Sequence, residues 1–179
     1  EKGVAYTFEQ AAPHTDAIRA VHPFGRIPGF RDGELQLFET SAIVRYLDES
    51  FGDVPLLVPG NAGLRAQMEQ WVSAISSYVY PASIQRYVLQ YIYPKGADGK
   101  PDRKVIDAAR FEIAGHLAVL DQAYGQGDWL AGSAPSIADL LLAPIIFGSV
   151  AWKLARLAIA SCARRTLGAA ASSGPPSGI

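Results

Sequence analysis

Residues 22–29 read His-Pro-Phe-Gly-Arg-Ile-Pro-Gly (HPFGRIPG), and they come directly before a segment with the composition of a β-strand. Proline has no backbone N–H, so Pro28 cannot donate to a β-ladder where that strand is expected to begin. The loss of a hydrogen bond is understandable if the backbone at Ile27 serves something other than its own sheet. We therefore predict an unusual backbone conformation around Ile27 and Pro28.

The residues that follow predict a hairpin and then a helix. Asp32-Gly33 lies between two apolar stretches, which is a strong short-range hairpin signal. Leu35 and Leu37 alternate with polar neighbours, as expected of a half-buried strand. Glu39-Thr40-Ser41 is predicted to open a helix. Upstream, residues 4–8 are predicted to form a short strand and residues 14–21 a brief helix.

Beyond the Pro- and Gly-rich segment GDVPLLVPGNAG (residues 52–63), every pattern is helical. A proline inside the first helical run, Pro81, predicts a kink or a break. A second helix is predicted over residues 105–124. Ser136 and Asp139 form a capping-box-like start for an apolar helix, in which the serine hydroxyl accepts from an early N–H and the carboxylate meets the positive helix end.

Composition excludes several classes of protein. The chain has 179 residues, 49% hydrophobic and 18% charged, enough to bury a core. A formal net charge of -1 argues against nucleic acid as a partner. One cysteine, Cys162, permits no intrachain disulfide, and with three scattered histidines it provides no usual zinc-ligand spacing. No apolar run reaches the roughly 18 residues of a membrane span and no signal-peptide pattern is present, so we predict a cytoplasmic protein.

The sequence HPFGRIPGFRDGELQLFETSAIVRYLDESF (residues 22–51), followed by helices and WLAGSAPSIADLLLAPI (residues 129–145), resembles the cytosolic glutathione transferases. The phi-like and bacterial members are the most similar in character. The resemblance covers residues 1–150 or so and implies an α+β/α fold, a partial thioredoxin-like N-terminal domain followed by an all-helical C-terminal domain. We predict the following organisation: glutathione-binding domain 1–54, linker 55–63, helical domain 64–152, divergent or disordered tail 153–179.

The resemblance also implies a glutathione site. In this family the proline matching Pro28 is cis, and the residue before it, here Ile27, pairs its backbone with the cysteinyl part of glutathione, a mode that suits a short peptide. Thr40 is predicted to bind the γ-glutamyl carboxylate with its hydroxyl and N–H, because a helix start attracts anions. Glu39 would hold the neighbouring ammonium, and Arg26 the glycyl carboxylate. His22 occupies a position where asparagine is frequent and carries less weight.

No catalytic residue can be named. In the family a Ser, Tyr or Cys near the start of the first helix stabilises the glutathione thiolate and lowers its pKa. The matching segment, the first strand and most of the first helix, would precede Glu1, so we expect that the chain lacks its natural beginning. The tail after Trp152 does not resemble the closing helices of the family, and a shifted reading frame is one hypothesis for it.

Three functional hypotheses remain open. The first is a detoxifying homodimer that conjugates reduced glutathione to a hydrophobic electrophilic small molecule, with glutathione as co-substrate and no cofactor, metal, nucleic acid or membrane partner. The second is a non-catalytic, glutathione-transferase-like binding module or a truncated inactive fragment. The third is a reductase or dehalogenase-like relative, which would need a cysteine that this chain does not show.

Overall fold

A computed structural model describes residues 2–52 and 56–151, so the predicted tail over 153–179 and part of the predicted linker lie outside the described residues. The chain divides between Gly60 and Asn61 into two compact units. The helices and strands in chain order are α1 (Asp16–Arg19), β1 (Gly29–Asp32), β2 (Leu35–Phe38), α2 (Thr40–Ser50), α3 (Ala62–Ala74), π-helical segments Ile75–Val79 and Pro81–Val88, α4 (Leu89–Ile92), a 3-10 turn (Ala97–Gly99), α5 (Arg103–Tyr124) and α6 (Ile137–Ala151).

The first unit is built on an antiparallel hairpin. Strands β1 and β2 pair in the register Gly29↔Phe38 through Asp32↔Leu35. Gly33 turns the chain with a φ of 55°, a left-handed conformation that glycine adopts without steric cost. The hairpin predicted from Asp32-Gly33 is therefore confirmed.

The strand predicted over residues 4–8 is wrong. This stretch belongs to no sheet, and the side chains of Tyr6 and Phe8 are 82% and 79% exposed. A β-strand exists only where another backbone accepts its hydrogen bonds, and within residues 2–52 and 56–151 no strand pairs with it. The residue types typical of a strand are present without a ladder partner.

Two side chains of α2 hold the first unit together. Tyr46 donates its hydroxyl to Asp32 Oδ2 at 2.7 Å, and this hydrogen bond raises the pKa of the tyrosine. Asp48 is 2% exposed and accepts from the N–H groups of Leu57 and Val58 at 2.7 and 3.2 Å. Its other carboxylate oxygen lies 2.8 Å from Lys2 Nζ. Asp48 thus fixes the chain segments on both sides of the hairpin to α2.

The second unit is helical, as predicted. The helix that starts at Ala62 continues through Pro81 to Ile92 by way of two π-helical segments. Proline removes an N–H and clashes with the carbonyl four residues earlier, and a widened π turn accommodates both effects. The predicted kink or break at Pro81 is therefore a π-helical insertion in a continuous helix. Its core against α5 consists of Ala82, Tyr87, Val88, Ile106, Ala109 and Ile113.

Asp139 organises the start of α6. Ser136 donates both its backbone N–H and its hydroxyl to Asp139 Oδ2, at 2.9 and 2.7 Å. The other oxygen accepts from Tyr124 Oη at 2.9 Å and from the N–H of Leu130 at 3.0 Å. The capping pair predicted from the sequence is present, but the serine hydroxyl donates to the carboxylate instead of accepting from the backbone.

Arg86 and Glu112 join the π-helical run to α5 through two hydrogen bonds. The guanidinium nitrogens donate to the two carboxylate oxygens at 2.6 and 2.5 Å. These bonds lower the pKa of Glu112 from its ordinary value.

Within the described ranges, no helix is both long enough and apolar enough to cross a membrane.

Candidate functional site

The open end of the hairpin brings the predicted backbone contact and the predicted helix tip together. The peptide bond between Ile27 and Pro28 is cis, as the resemblance implied. Gly29, the next residue, is paired with Phe38, and Phe38 is followed by Glu39 and Thr40. The register therefore places Ile27 and Pro28 beside the first residues of α2. The two predicted contacts with one tripeptide lie at the same edge of the first unit.

The backbone of Ile27 stands outside the ladder. The paired residues of β1 begin at Gly29, and among the described residues no hydrogen bond is found to the N–H or C=O of Ile27. The residue is 54% exposed. A peptide backbone can reach these groups without displacing an existing strand.

The N-terminus of α2 has no side-chain cap, unlike the N-termini of α1, α3 and α5. Thr15, Asn61 and Asp102 each place a side-chain oxygen on the first N–H groups of α1, α3 and α5. At α2 the N-cap residue is Glu39, and its side chain makes no capping hydrogen bond. The N–H groups of the first turn, from Thr40 onward, are left for water or for an anionic ligand.

Glu39 has a strained backbone at this position. Its φ and ψ are 69° and 121°, a region that residues with a Cβ rarely occupy. Such a conformation costs on the order of 1–3 kcal/mol and is typically found at functional sites. The side chain of Glu39 is 62% exposed, so its carboxylate is accessible beside the uncapped amides.

His22 lies beneath Glu39 and is 2% exposed. Its Nε2 atom is 3.8 Å from Glu39 Oε1, and its ring packs on Phe38 with centroids 4.9 Å apart. His22 is a weak site candidate from the sequence, because histidine is unusual at this position of the family. No sequence pattern predicted that it would approach Glu39. The contact arises only when the loop over residues 22–28 is placed against the end of β2.

Arg26 is exposed in the loop that leads into Ile27, and among the described residues it makes no ion pair. Gly25, just before it, has a φ of 66° and is buried against His14. A cation at this place can receive a carboxylate at the far end of a peptide that pairs with Ile27. The structure therefore brings four of the predicted site residues to one edge, with Arg26 in the adjoining loop.

Taken together, these residues can recognise a short peptide with a zwitterionic end. The positive end of α2 favours a carboxylate, the accessible Glu39 carboxylate favours an ammonium group, and Ile27 offers backbone pairing. The described residues contain no group of three or more His, Cys, Asp or Glu side chains that could hold a metal ion.

Comparison with known proteins identifies the family to which the chain belongs. Residues 1–49 match the family model described as the glutathione S-transferase N-terminal domain, and residues 75–158 match the C-terminal domain of the same family. Glutathione S-transferase F10 of Arabidopsis thaliana is 31% identical over 153 residues, which cover 80% of this chain and 69% of the relative. Glutathione S-transferase 1 of Triticum aestivum is 29% identical over 135 residues, 71% of this chain and 58% of the relative.

A solved structure agrees with these sequence matches. The theta class glutathione S-transferase of Xanthomonas axonopodis pv. citri, solved with glutathione bound, superposes with a TM-score of 0.78 at 27% identity and covers 93% of this chain and 81% of that one. The chain belongs to the glutathione S-transferase family, which confirms the predicted fold class. It spans 58% of the length of the wheat relative and 69% of that of the Arabidopsis relative.

Proposed function

We propose that this chain binds glutathione at the open end of its hairpin. Ile27 pairs with the cysteinyl backbone, the first turn of α2 at Thr40 receives the γ-glutamyl carboxylate, Glu39 holds the ammonium and Arg26 the glycyl carboxylate. The observation that carries the proposal is the uncapped N-terminus of α2 beside the unpaired backbone of Ile27. The bound glutathione in the Xanthomonas structure supports this choice of ligand.

We further propose that the protein conjugates reduced glutathione to electrophilic small molecules. The names of the plant relatives support a transferase activity. In this proposal the second substrate is a hydrophobic electrophile, and the protein acts in detoxification as a cytoplasmic homodimer.

Calorimetric titration of the chain with glutathione tests the binding site. Glu39→Gln removes the negative charge that holds the ammonium, and we expect it to weaken binding about ten- to hundredfold, as for the loss of a charged hydrogen bond. Glu49→Gln is the matched control, because Glu49 lies in the last turn of the same helix and is 52% exposed. Equal binding by both variants, or no binding by the wild-type chain, would contradict the proposed site.

A chromogenic aryl halide, added to the same samples, separates the transferase from the non-catalytic binding module. Conjugation of glutathione to the halide by the chain supports the transferase. Binding of glutathione without conjugation supports the non-catalytic module. If the chain shows neither glutathione binding nor conjugation, both proposals are contradicted and only the family membership stands.

A further inference from the structure

We propose that His22 is a positioning residue that makes capture of the tripeptide's ammonium group dependent on pH. When protonated, its imidazolium pairs with Glu39 and competes with the ligand ammonium for the same carboxylate. This inference rests on the proposed glutathione site. It concerns a residue whose side chain has no assigned role in binding.

The imidazole of His22 is held in one place. Its backbone N–H donates to the carbonyl of Ile18 at 2.7 Å, and its carbonyl accepts from the N–H of Gly25 at 2.7 Å. The ring packs against Phe38 at 4.9 Å and edge-on to Phe24 at 6.2 Å. These contacts keep the ring beside Glu39.

The contact between the two side chains depends on charge. A separation of 3.8 Å between His22 Nε2 and Glu39 Oε1 is too long for a hydrogen bond and is an ion-pair distance. Within the described part of the chain, Nδ1 of His22 is buried and has no hydrogen-bond partner. Neutral imidazole therefore leaves the Glu39 carboxylate free to bind water or the ligand ammonium. Imidazolium places a positive charge beside the same carboxylate, in competition with that ammonium.

Among the described residues, the other charged groups near this loop make no ion pair with His22. Asp16 and Arg19 lie on α1, His14 precedes that helix, and Arg26 follows in the loop. Among the described residues, Glu39 is the acidic side chain that pairs with His22. A proton on the imidazole is thus expected to be coupled to whatever else binds Glu39.

Coupling of this kind is reciprocal. If imidazolium weakens the hold of Glu39 on an ammonium, then the bound ammonium disfavours the proton on His22 by the same factor. Histidine is the side chain that ordinarily changes charge between about pH 5 and 8. For two like charges that share a partly exposed carboxylate, we expect binding to be about three- to tenfold weaker at about pH 5.5 than at about pH 8.

Titration calorimetry with S-methylglutathione tests the inference on the unaltered chain. This probe has no thiol, so the titration of glutathione sulfur, ordinarily near pH 8.5, does not contribute. The matched ligand is the desamino analogue, in which the γ-glutamyl amino group is replaced by hydrogen. We expect the affinity for S-methylglutathione to fall three- to tenfold between about pH 8 and 5.5, and that for the desamino analogue to change less than about twofold.

A variant provides the second arm. His22→Asn keeps a polar side chain of smaller size and cannot acquire a charge, so its affinity for S-methylglutathione should vary less than about twofold over the same range. His14→Asn is the matched control and should retain the wild-type pH dependence. Equal pH dependence for both ligands, or for His22→Asn and wild type, overturns the inference about His22 and leaves the proposed glutathione site unaffected. No binding of either ligand at about pH 8 overturns the proposed glutathione site and the inference with it.

Discussion

Replacement of Asp139 by alanine should be the most damaging single change at a polar position of the second unit. The carboxylate is 8% exposed and accepts four hydrogen bonds, two from Ser136 and one each from Tyr124 and Leu130. It joins the end of α5, the loop at Leu130 and the start of α6. Removing it leaves these donors without their acceptor in a place that water reaches poorly.

The expected loss is about 4 kcal/mol. A hydrogen bond to a charged group contributes about 1.5–3 kcal/mol, and the contributions of bonds to one carboxylate do not add in full. Loss of a negative charge at a helix N-terminus contributes about another 0.3–1 kcal/mol. Values above about 4–5 kcal/mol are exceptional for one substitution, which limits the total. Asp139→Asn keeps the shape and one acceptor oxygen, so we expect about half of the loss.

Urea denaturation followed by tryptophan fluorescence and circular dichroism measures the free energy of unfolding. The control is Asp107→Ala on α5, because Asp107 is 68% exposed and its nearest cation, on Arg110, is 3.6 Å away. An exposed pair of this kind contributes less than about 1 kcal/mol. If Asp139→Ala lowers the unfolding free energy by less than about 1 kcal/mol, or by no more than Asp107→Ala, the hydrogen bonds around Asp139 do not stabilise the second unit in the way that their geometry indicates.

Three further outcomes are expected. Glu39→Gly relieves the positive φ and should raise the unfolding free energy by about 1 kcal/mol while it weakens glutathione binding; a destabilised variant would contradict the strain. Glu112→Gln should lower the melting temperature at neutral pH, because Arg86 lowers the pKa of Glu112 in the folded state. The stability from this pair is present above the ordinary glutamate pKa and is lost as the pH falls through the lowered pKa, so the difference in melting temperature between variant and wild type should vanish in acid. A difference that stays constant with pH would contradict this prediction. Met68→Ala, at a fully buried position, should cost about 2–5 kcal/mol in urea denaturation, and a cost under about 1 kcal/mol would contradict its place in the core.

Local residue chemistry was sufficient to predict several parts of the fold. Asp32-Gly33 predicts the hairpin because few residues other than glycine tolerate the positive φ that its turn requires. Glu39-Thr40 predicts the start of α2, and the 3.6-residue spacing predicts the long helices. Together with the hairpin register, these signals bring the predicted contact residues Ile27 and Thr40 to one edge of the first unit.

The parts that sequence did not predict depend on tertiary contacts. The stretch from residue 4 to residue 8 has strand composition, yet a strand requires a partner that no local pattern can guarantee. The strained φ of Glu39 and the approach of His22 to its carboxylate arise when a loop packs against the end of β2. The predicted direction of the Ser136 hydrogen bond was wrong for a related reason: Asp139 is buried among donors from distant segments, so its carboxylate is the stronger acceptor.

A crystal structure of the 179-residue chain with S-methylglutathione at about pH 8 would test the proposed site without an intermediate assumption. We predict the γ-glutamyl carboxylate at hydrogen-bond distance, about 2.7–3.2 Å, from the N–H of Thr40, the ammonium at the same distance from the Glu39 carboxylate, and the cysteinyl backbone paired with Ile27. Electron density for the ligand at another surface, with Thr40 and Glu39 contacting only water, would contradict the proposed site.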